Sequence, residues 1–393
     1  MKTVYLDNNA TTRVAPEVLE AMLPYFGELY GNPSSMHFFG GQISRRLQEA
    51  RQQAADLIGA TSGEIIFTSC GTESDNTAIR SALAVNPGKR HIVTSRVEHP
   101  AVRALCAQLA REGFRVTELP VDGDGLLDMD QYEKNLTADT AVVSLMWANN
   151  ETGVVFPIEK AAAMADERGI FFHTDAVQAV GKVPINMEKN AVHMLSLSGH
   201  KLHAPKGIGI LYVRRGKRFS PFMIGGHQEK ERRGGTENTA SIIGLGKACE
   251  MAAAKMEEEN GRVRQLRDKL ERELLARIPN SRVNGDRLQR LPNTTNISFE
   301  FVEGESILLM MDEFGICASS GSACTSGSLQ PSHVLRAMGT PYTMAHGSIR
   351  FSLSVYNTER EIDFVIEKLP PIIEKLRNMS PFWRGDDRVR ASQ

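Results

Sequence analysis

Ser196-Leu-Ser-Gly-His-Lys201 sits between two apolar segments, 191–197 and 207–213, both of which read as buried strands. A lysine at such a junction is poorly hydrated. Burial disfavours its charged form and leaves a nucleophilic amine. An amine of that kind forms a Schiff base with an aldehyde, most often pyridoxal phosphate. An isolated lysine at a strand end more often snorkels to solvent, so the reading rests on what surrounds Lys201.

Upstream, 65–69, 91–95, 116–119, 141–146 and 170–174 are short β-rich apolar runs. Helical stretches at 74–83, 100–111, 129–135 and 158–167 separate them. With 191–197 and 207–213 they make seven strands. The alternation predicts an α/β fold with a mostly parallel sheet covered by helices on both faces. The turn after Lys201 is short enough for the last pair to be antiparallel. Downstream the pattern changes. Residues 238–277 are helical in character, with a break predicted near Asn260-Gly261, and 295–301, 304–314, 348–353 and 358–376 read as strand, helix, strand, helix. This reads as a smaller α+β domain joined by the N-terminal segment: 15–255 for the large domain, 1–14 with 256–393 for the small one. Pro370-Pro371 is predicted to kink or break the last helix. The charged tail 384–393 is predicted to fray.

The 393 residues suffice for two domains with sizeable cores. A net charge of −1 carries no polybasic footprint for nucleic acid. The start has no signal-peptide apolar core, and no apolar run approaches the roughly 18 residues of a membrane span. Cys70, Cys106, Cys249, Cys317 and Cys324 are scattered, without paired metal-ligand spacing. That fits reduced thiols in a cytoplasm. The expectation is a cytoplasmic protein with neither membrane nor nucleic-acid partners.

Other strand ends carry chemistry too. Cys70-Gly-Thr-Glu-Ser-Asp-Asn76 follows a strand and opens a helix. Gly71 permits close backbone approach and Thr72 adds a hydroxyl, which suits a phosphate, although Thr72 also fits a simple N-cap. His173-Thr-Asp-Ala-Val-Gln178 ends another strand, at the edge where α/β sheets bind ligands. Asp175 there can hold a pyridinium nitrogen protonated, or cap a following helix. Gln178 can reach a phenolic oxygen. Ser198 and His200 offer further phosphate donors. His99, in Val97-Glu-His-Pro100, is placed to stack on an aromatic ring, and Asn149-Asn-Glu-Thr-Gly153 supplies Asn150. Asn-rich turn chemistry explains that last loop equally well. Each signal is modest, and their joint occurrence makes a pyridoxal phosphate site the leading reading.

These residues resemble the cysteine desulfurases, nearly end to end, from Tyr5-Leu-Asp-Asn-Asn-Ala-Thr-Thr12 to Ser380-Pro-Phe-Trp383. Between them lie Gly31-Asn-Pro-Ser-Ser35, Glu98-His-Pro100, Arg233-Gly-Gly-Thr236 and Ser319-Ser-Gly-Ser-Ala-Cys-Thr-Ser-Gly327. The resemblance implies the fold of pyridoxal-phosphate-dependent transferases, aspartate aminotransferase-like. It implies that Lys201 carries the cofactor, His99 stacks on it and moves protons, and Asp175 pairs with the ring nitrogen. Gln178 and Asn150 would address ring or substrate oxygens. Gly71, Thr72, Ser198 and His200 would hold the phosphate. Thr236 would reach the phosphate of a partner subunit, implying a homodimer, while its plainer reading is an N-cap for the helix from Asn238. Asn32 and Arg350 would bind the substrate carboxylate. Trp147-Ala-Asn-Asn150 and the Pro-Phe-Trp terminus resemble the nitrogen-fixation branch, NifS-like, which implies a NifU-like iron–sulfur scaffold as sulfur acceptor.

The segment 317–333 is rich in Ser and Gly and poor in apolar anchors, as a mobile surface loop would be. Within it Cys324 is the candidate thiolate that attacks the sulfur of L-cysteine, giving alanine and a persulfide. A transient contact of Cys324 with iron on a scaffold is a further expectation. The other four cysteines read as packing residues. Selenocysteine lyase or cysteine-sulfinate desulfinase chemistry on the same scaffold needs Cys324 less. An aminotransferase has no evident use for the Cys324 segment. A cofactor-free scaffold or regulatory protein would have no use for Lys201, Asp175 and Cys324.

Overall fold

The computed structural model describes residues 3–320, 331–381 and 383. Its central sheet has seven strands. They are β2 (Ile65–Thr68), β3 (His91–Ser95), β4 (Arg115–Leu119), β5 (Thr140–Ser144), β6 (Phe171–Asp175), β7 (Met194–Ser198) and β8 (Gly209–Val213), after a short β1 (Val4–Tyr5). The spatial order is β2-β8-β7-β6-β5-β3-β4. Only β8 runs against its neighbours, antiparallel to both β7 and β2. Five of the six codirectional strands, all but the edge strand β4, therefore end on one edge beside the candidate residues.

Alternation along the strands explains the two covered faces. Ile66, Ile92, Val142, Met194 and Leu211 pack with helices Gly71–Ala84 and Pro100–Arg111. Their neighbours Ile65, Phe67, Val93, Val143, Leu195 and Ile210 face the opposite way, into a core shared with helices Phe38–Leu57 and Thr239–Ala254.

A second apolar core gathers Val4 and Leu6 with Leu270, Leu274, Phe299, Phe351 and Ile366. It lies against a four-stranded antiparallel sheet of β12 (Ser319–Ser320), β13 (Ser348–Ser352), β10 (Thr294–Phe299) and β9 (Ser281–Val283). β1 pairs in parallel with β11 (Ile316–Cys317), so the N-terminal segment joins this part of the chain.

Neither predicted helix break is found at its place. The predicted break at Asn260-Gly261 is a π-helical turn, Glu259–Val263. There the Asn260 side chain donates to the carbonyls of Lys182 and Met256 at 2.8 and 3.0 Å, so the wider turn has polar partners. Helix Glu359–Met379 runs unbroken through Pro370 and Pro371. An interior proline costs about 3 kcal/mol. Leu369, Ile372 and Ile373 are buried on either side of the pair, and about 1.5–3 kcal/mol for each such side chain offsets that cost.

Candidate active site

The ends of β2, β3, β5, β6 and β7 open on one cavity of about 480 Å³. Helix Gly71–Ala84 begins at its wall with no side chain capping its first turn, so amides there are free for an anion. A Cβ at Gly71 would lie 2.9 Å from Val177 Cγ2, which is why glycine stands where β2 turns into this helix. Pro100 occupies the first turn of the next helix, and His99 caps it by accepting the Ala101 amide on Nδ1 at 3.2 Å. The neutral ring therefore carries its proton on Nε2. Burial lowers the His99 pKa, with Asp175 opposing and Lys201 reinforcing the shift.

Asp175 closes β6. Its Oδ1 accepts the Val177 amide at 2.9 Å, in a turn rather than in the helix cap that is its alternative reading. Burial raises its pKa, against the pull of His99, the Val177 amide and Lys201. Gln178 donates to the Asn9 carbonyl at 2.9 Å, and its Oε1 is buried without a partner among the described residues. Lys201 ends a short 3-10 turn after β7. It is half-buried rather than sealed, and its Nζ donates to the carbonyls of Asn9 and Ala10 at 2.7 and 2.6 Å. Ser198 and His200 stand beside it. The His200 ring meets Thr11 Oγ1 at 3.1 Å, and burial takes its pKa down to about 4.

Arg350 reaches the same cavity from β13. Its guanidinium donates to Asp7 Oδ1 at 2.8 Å and to the Asn150 carbonyl at 3.0 Å, and its Nε is buried without a partner among the described residues. Burial pushes Glu98, behind His99, up to about 8 despite the Ser95 hydroxyl and the Met146 amide. Glu151, next to Asn150, is pushed up to about 7 by burial, against the Ser332 hydroxyl and Arg350.

Lys201, His99, Asn150, Asp175, Gln178, Gly71, Thr72, Ser198, His200 and Arg350 are thus together. Asn32 and Thr236 are not. Both are exposed and line no part of this cavity. Thr236 does not cap the following helix either; Asn238 does, through the Ser241 amide. Cys324 lies outside the described residues. Cys106 and Cys249 are buried thiols pushed up to about 12 by burial, as packing residues would be. Cys70 differs from its expectation: it is half-buried and forms part of the cavity wall.

Sequence reading missed Asp7, Asn9 and Ala10. The signal was the Tyr5–Thr12 stretch only in outline, since Asn9 and Ala10 act through backbone carbonyls that any residue could supply. Among the described residues no group of three or more His, Cys, Asp or Glu is arranged to hold a metal ion. No described helix is long and apolar enough to cross a membrane.

A mostly parallel sheet whose strand ends surround a lysine, an acid and an open helix N-terminus defines an aminotransferase-like class, and residues 4–365 match the family described as Aminotransferase class-V. Cysteine desulfurase NifS of Azotobacter vinelandii is 62% identical over 390 residues, covering 99% of this chain and 97% of the relative. A cysteine desulfurase of Trichormus azollae is 61% identical over 382 residues, covering 97% and 96%. A solved NifS-like protein superimposes with a TM-score of 0.90 at 37% identity, covering 95% of this chain and all of the other. The chain belongs to the class-V aminotransferase family and, within it, to the NifS-like cysteine desulfurases.

Proposed function

We propose that this cavity holds pyridoxal phosphate and that the chain uses it to take sulfur from L-cysteine, leaving alanine and a persulfide on Cys324. The observation that carries this reading is the convergence of five strand ends on one cavity around Lys201. The family is generally pyridoxal-phosphate-dependent, and the residues fit the group. The uncapped helix at Gly71-Thr72, with Ser198 and His200, suits the phosphate. Asp175 suits the ring nitrogen, and the unpartnered Gln178 Oε1 leaves a polar atom for the ring's oxygen substituent. When bound, the cofactor supplies an electron sink for the substrate's α-carbon.

The chain's own residues do the rest. Lys201 anchors the cofactor and moves the α-proton. His99 covers the ring, with its Nε2 proton available for transfer. Arg350 grips the substrate carboxylate through a two-pronged contact, assisted by Asn32. The substrate's C–S bond breaks, a bond forms from that sulfur to the Cys324 sulfur, and the former Cβ gains a proton.

Thr236 and Asn32 act in this reading from a partner subunit. Phe26, Tyr30, Met36 and Phe38 flank Asn32, and Phe222, Met223 and Ile224 precede Thr236; all are exposed. Pro33 and Ser34, next to Asn32, and Glu237, next to Thr236, line one cleft. Exposed apolar surface of this kind marks an interface, and a homodimer would bring both residues to the neighbouring cavity. The division into 15–255 and 1–14 with 256–393 draws support from the two apolar cores, although Leu291 and 334–345 contribute to the first of them. A NifU-like iron–sulfur scaffold, in a cytoplasmic nitrogen-fixation setting, is the acceptor that the similarity to NifS favours. Iron contact at Cys324 would occur during that hand-over.

The test is one turnover with cysteine, followed by alkylation and mass spectrometry. Added sulfur on the peptide containing Cys324, absent in Cys324→Ser, supports the reading. Sulfur reproducibly on Cys70 or Cys317 overturns it.

A further inference from the structure

Behind Asp175 lies a second buried carboxyl that the mechanism above does not use. Asp75, one turn into helix Gly71–Ala84, is 1% exposed and borders the same cavity. Its Oδ1 makes no hydrogen bond among the described residues and lies 3.6 Å from His173 Nε2. That histidine is no counter-charge. It is fully buried, its two nitrogens meet the hydroxyls of Ser144 and Ser196 at 2.9 Å each, and burial takes its pKa down to about 3. Ser196 is also the β7 partner of Asp175 in the sheet. The groups facing Asp75 are therefore Asp175 and neutral His173 on β6, Ser196 on β7, Glu98 after β3, and Cys70 on its own turn. None is a cation. Of the cationic groups lining the cavity, Lys201 and His99 when protonated act on Asp175.

We propose that Asp75 is a positioning residue acting through Asp175: it holds a proton in the loaded enzyme, so that Asp175 is the anion facing the ring nitrogen. The proposal rests on the pyridoxal phosphate reading. Two buried carboxylates that line one cavity and act on each other repel, and one takes the proton. The one with cationic neighbours keeps its charge. Burial raises the Asp75 pKa well above the usual range, and the charges of Asp175, Glu98 and Cys70 add to this against the Ser196 hydroxyl. A neutral Asp75 removes a like charge that would otherwise drive Asp175 to bind a proton, and a protonated Asp175 could not stabilise a pyridinium.

Asp75 and Asp175 are the only buried aspartates among the described residues, which makes the proton visible. Infrared spectra of the loaded enzyme at neutral pH should show the carbonyl stretch of a buried protonated aspartic acid, shifted by carboxyl-¹³C aspartate and lost in Asp75→Asn. The Glu98 band should be lost only in Glu98→Gln. Asp75→Asn mimics the neutral acid, so pyridoxal phosphate affinity should change less than about fivefold, under one pKa unit in equivalent terms. Asp175→Asn should lower it by more. If no protonated-aspartate band appears, or Asp75→Asn moves affinity by more than fivefold, the proposal is wrong. Should Asp75→Asn fail to fold, Asp175→Asn at saturating pyridoxal phosphate decides: the isotope-shifted band should persist in it, and its loss there overturns the proposal. A wild-type protein that binds no pyridoxal phosphate refutes the underlying reading, an outcome distinct from a loaded enzyme without the band.

Discussion

Arg350 enters the cavity already engaged, one prong on Asp7 and one on the Asn150 carbonyl. Such contacts hold its planar fork in one orientation, ready for a carboxylate. Lysine cannot copy the fork, so Arg350→Lys should lower kcat/KM for cysteine on the order of tenfold to a hundredfold, as expected for one or two charged hydrogen bonds. The absorbance of the bound cofactor should stay as it is. An unchanged kcat/KM would assign the carboxylate to another group. In the proposed reading Lys201→Ala removes both the covalent anchor and the base, and it should abolish turnover and covalent cofactor retention, read by activity and by denaturing gel filtration. Retained desulfurase activity would refute the central role of Lys201. At this scale the sequence is most readable where a polar residue interrupts an apolar run, as at Asp175 and Lys201. It is least readable where backbone does the work, as at Asn9 and Ala10, or where a residue lies away from the cavity, as Asn32 and Thr236 do.

In the proposed reading, phosphate binding depends on the strand-to-helix turn at Gly71. A methyl group there would meet Val177 Cγ2 at 2.9 Å. Valine is stiff at χ1, so the clash should displace the Asp175–Gln178 turn or the helix start. Gly71→Ala should weaken pyridoxal phosphate binding about tenfold, a loss of about 1.4 kcal/mol, measured by spectral titration of the apoprotein. Unaltered affinity would show that the turn yields without cost. Elements were legible because the central strands are short apolar runs with helices between them, and both sheet faces are covered. The strand β8 was legible as antiparallel because its connection to β7 is too short for a crossover. Pro370-Pro371 misled because local backbone chemistry was weighed without the tertiary burial of Leu369, Ile372 and Ile373. The π turn at Glu259–Val263 was read as a break for the same reason: its compensation, Asn260 on the Lys182 carbonyl, spans 78 residues.

For the whole molecule, two features bear on the proposed homodimer and on the response to pH. Phe26→Asp with Ile224→Asp places charges on the exposed apolar stretches and should convert a dimer to monomers in analytical ultracentrifugation, with loss of turnover. A fully active monomer would remove the role given to Thr236 and Asn32. The pH response follows from buried groups of opposite sign. His91, His193, His203 and His333 are held near 4 by burial. A depressed base contributes stability above its unfolded value of about 6.5, and that contribution is lost as pH falls towards 4. Glu98 is the reverse case. Its folded pKa is about 8 against 4.5, so the fold favours its neutral acid. That contribution is full below 4.5 and is lost as pH rises through 8, at no more than about 1.4 kcal/mol per pH unit. Above about pH 7.5 these four histidines are neutral in both states, and Glu98 contributes to the slope that remains. Glu98→Gln keeps a neutral group of similar shape and removes the ionisation. Its melting temperature relative to wild type should therefore rise steadily from pH 5 to pH 8 and level off beyond. A gap independent of pH over that range would mean that Glu98 is already ionised in the fold, and that the floor beneath His99 carries a charge it has no cation to balance.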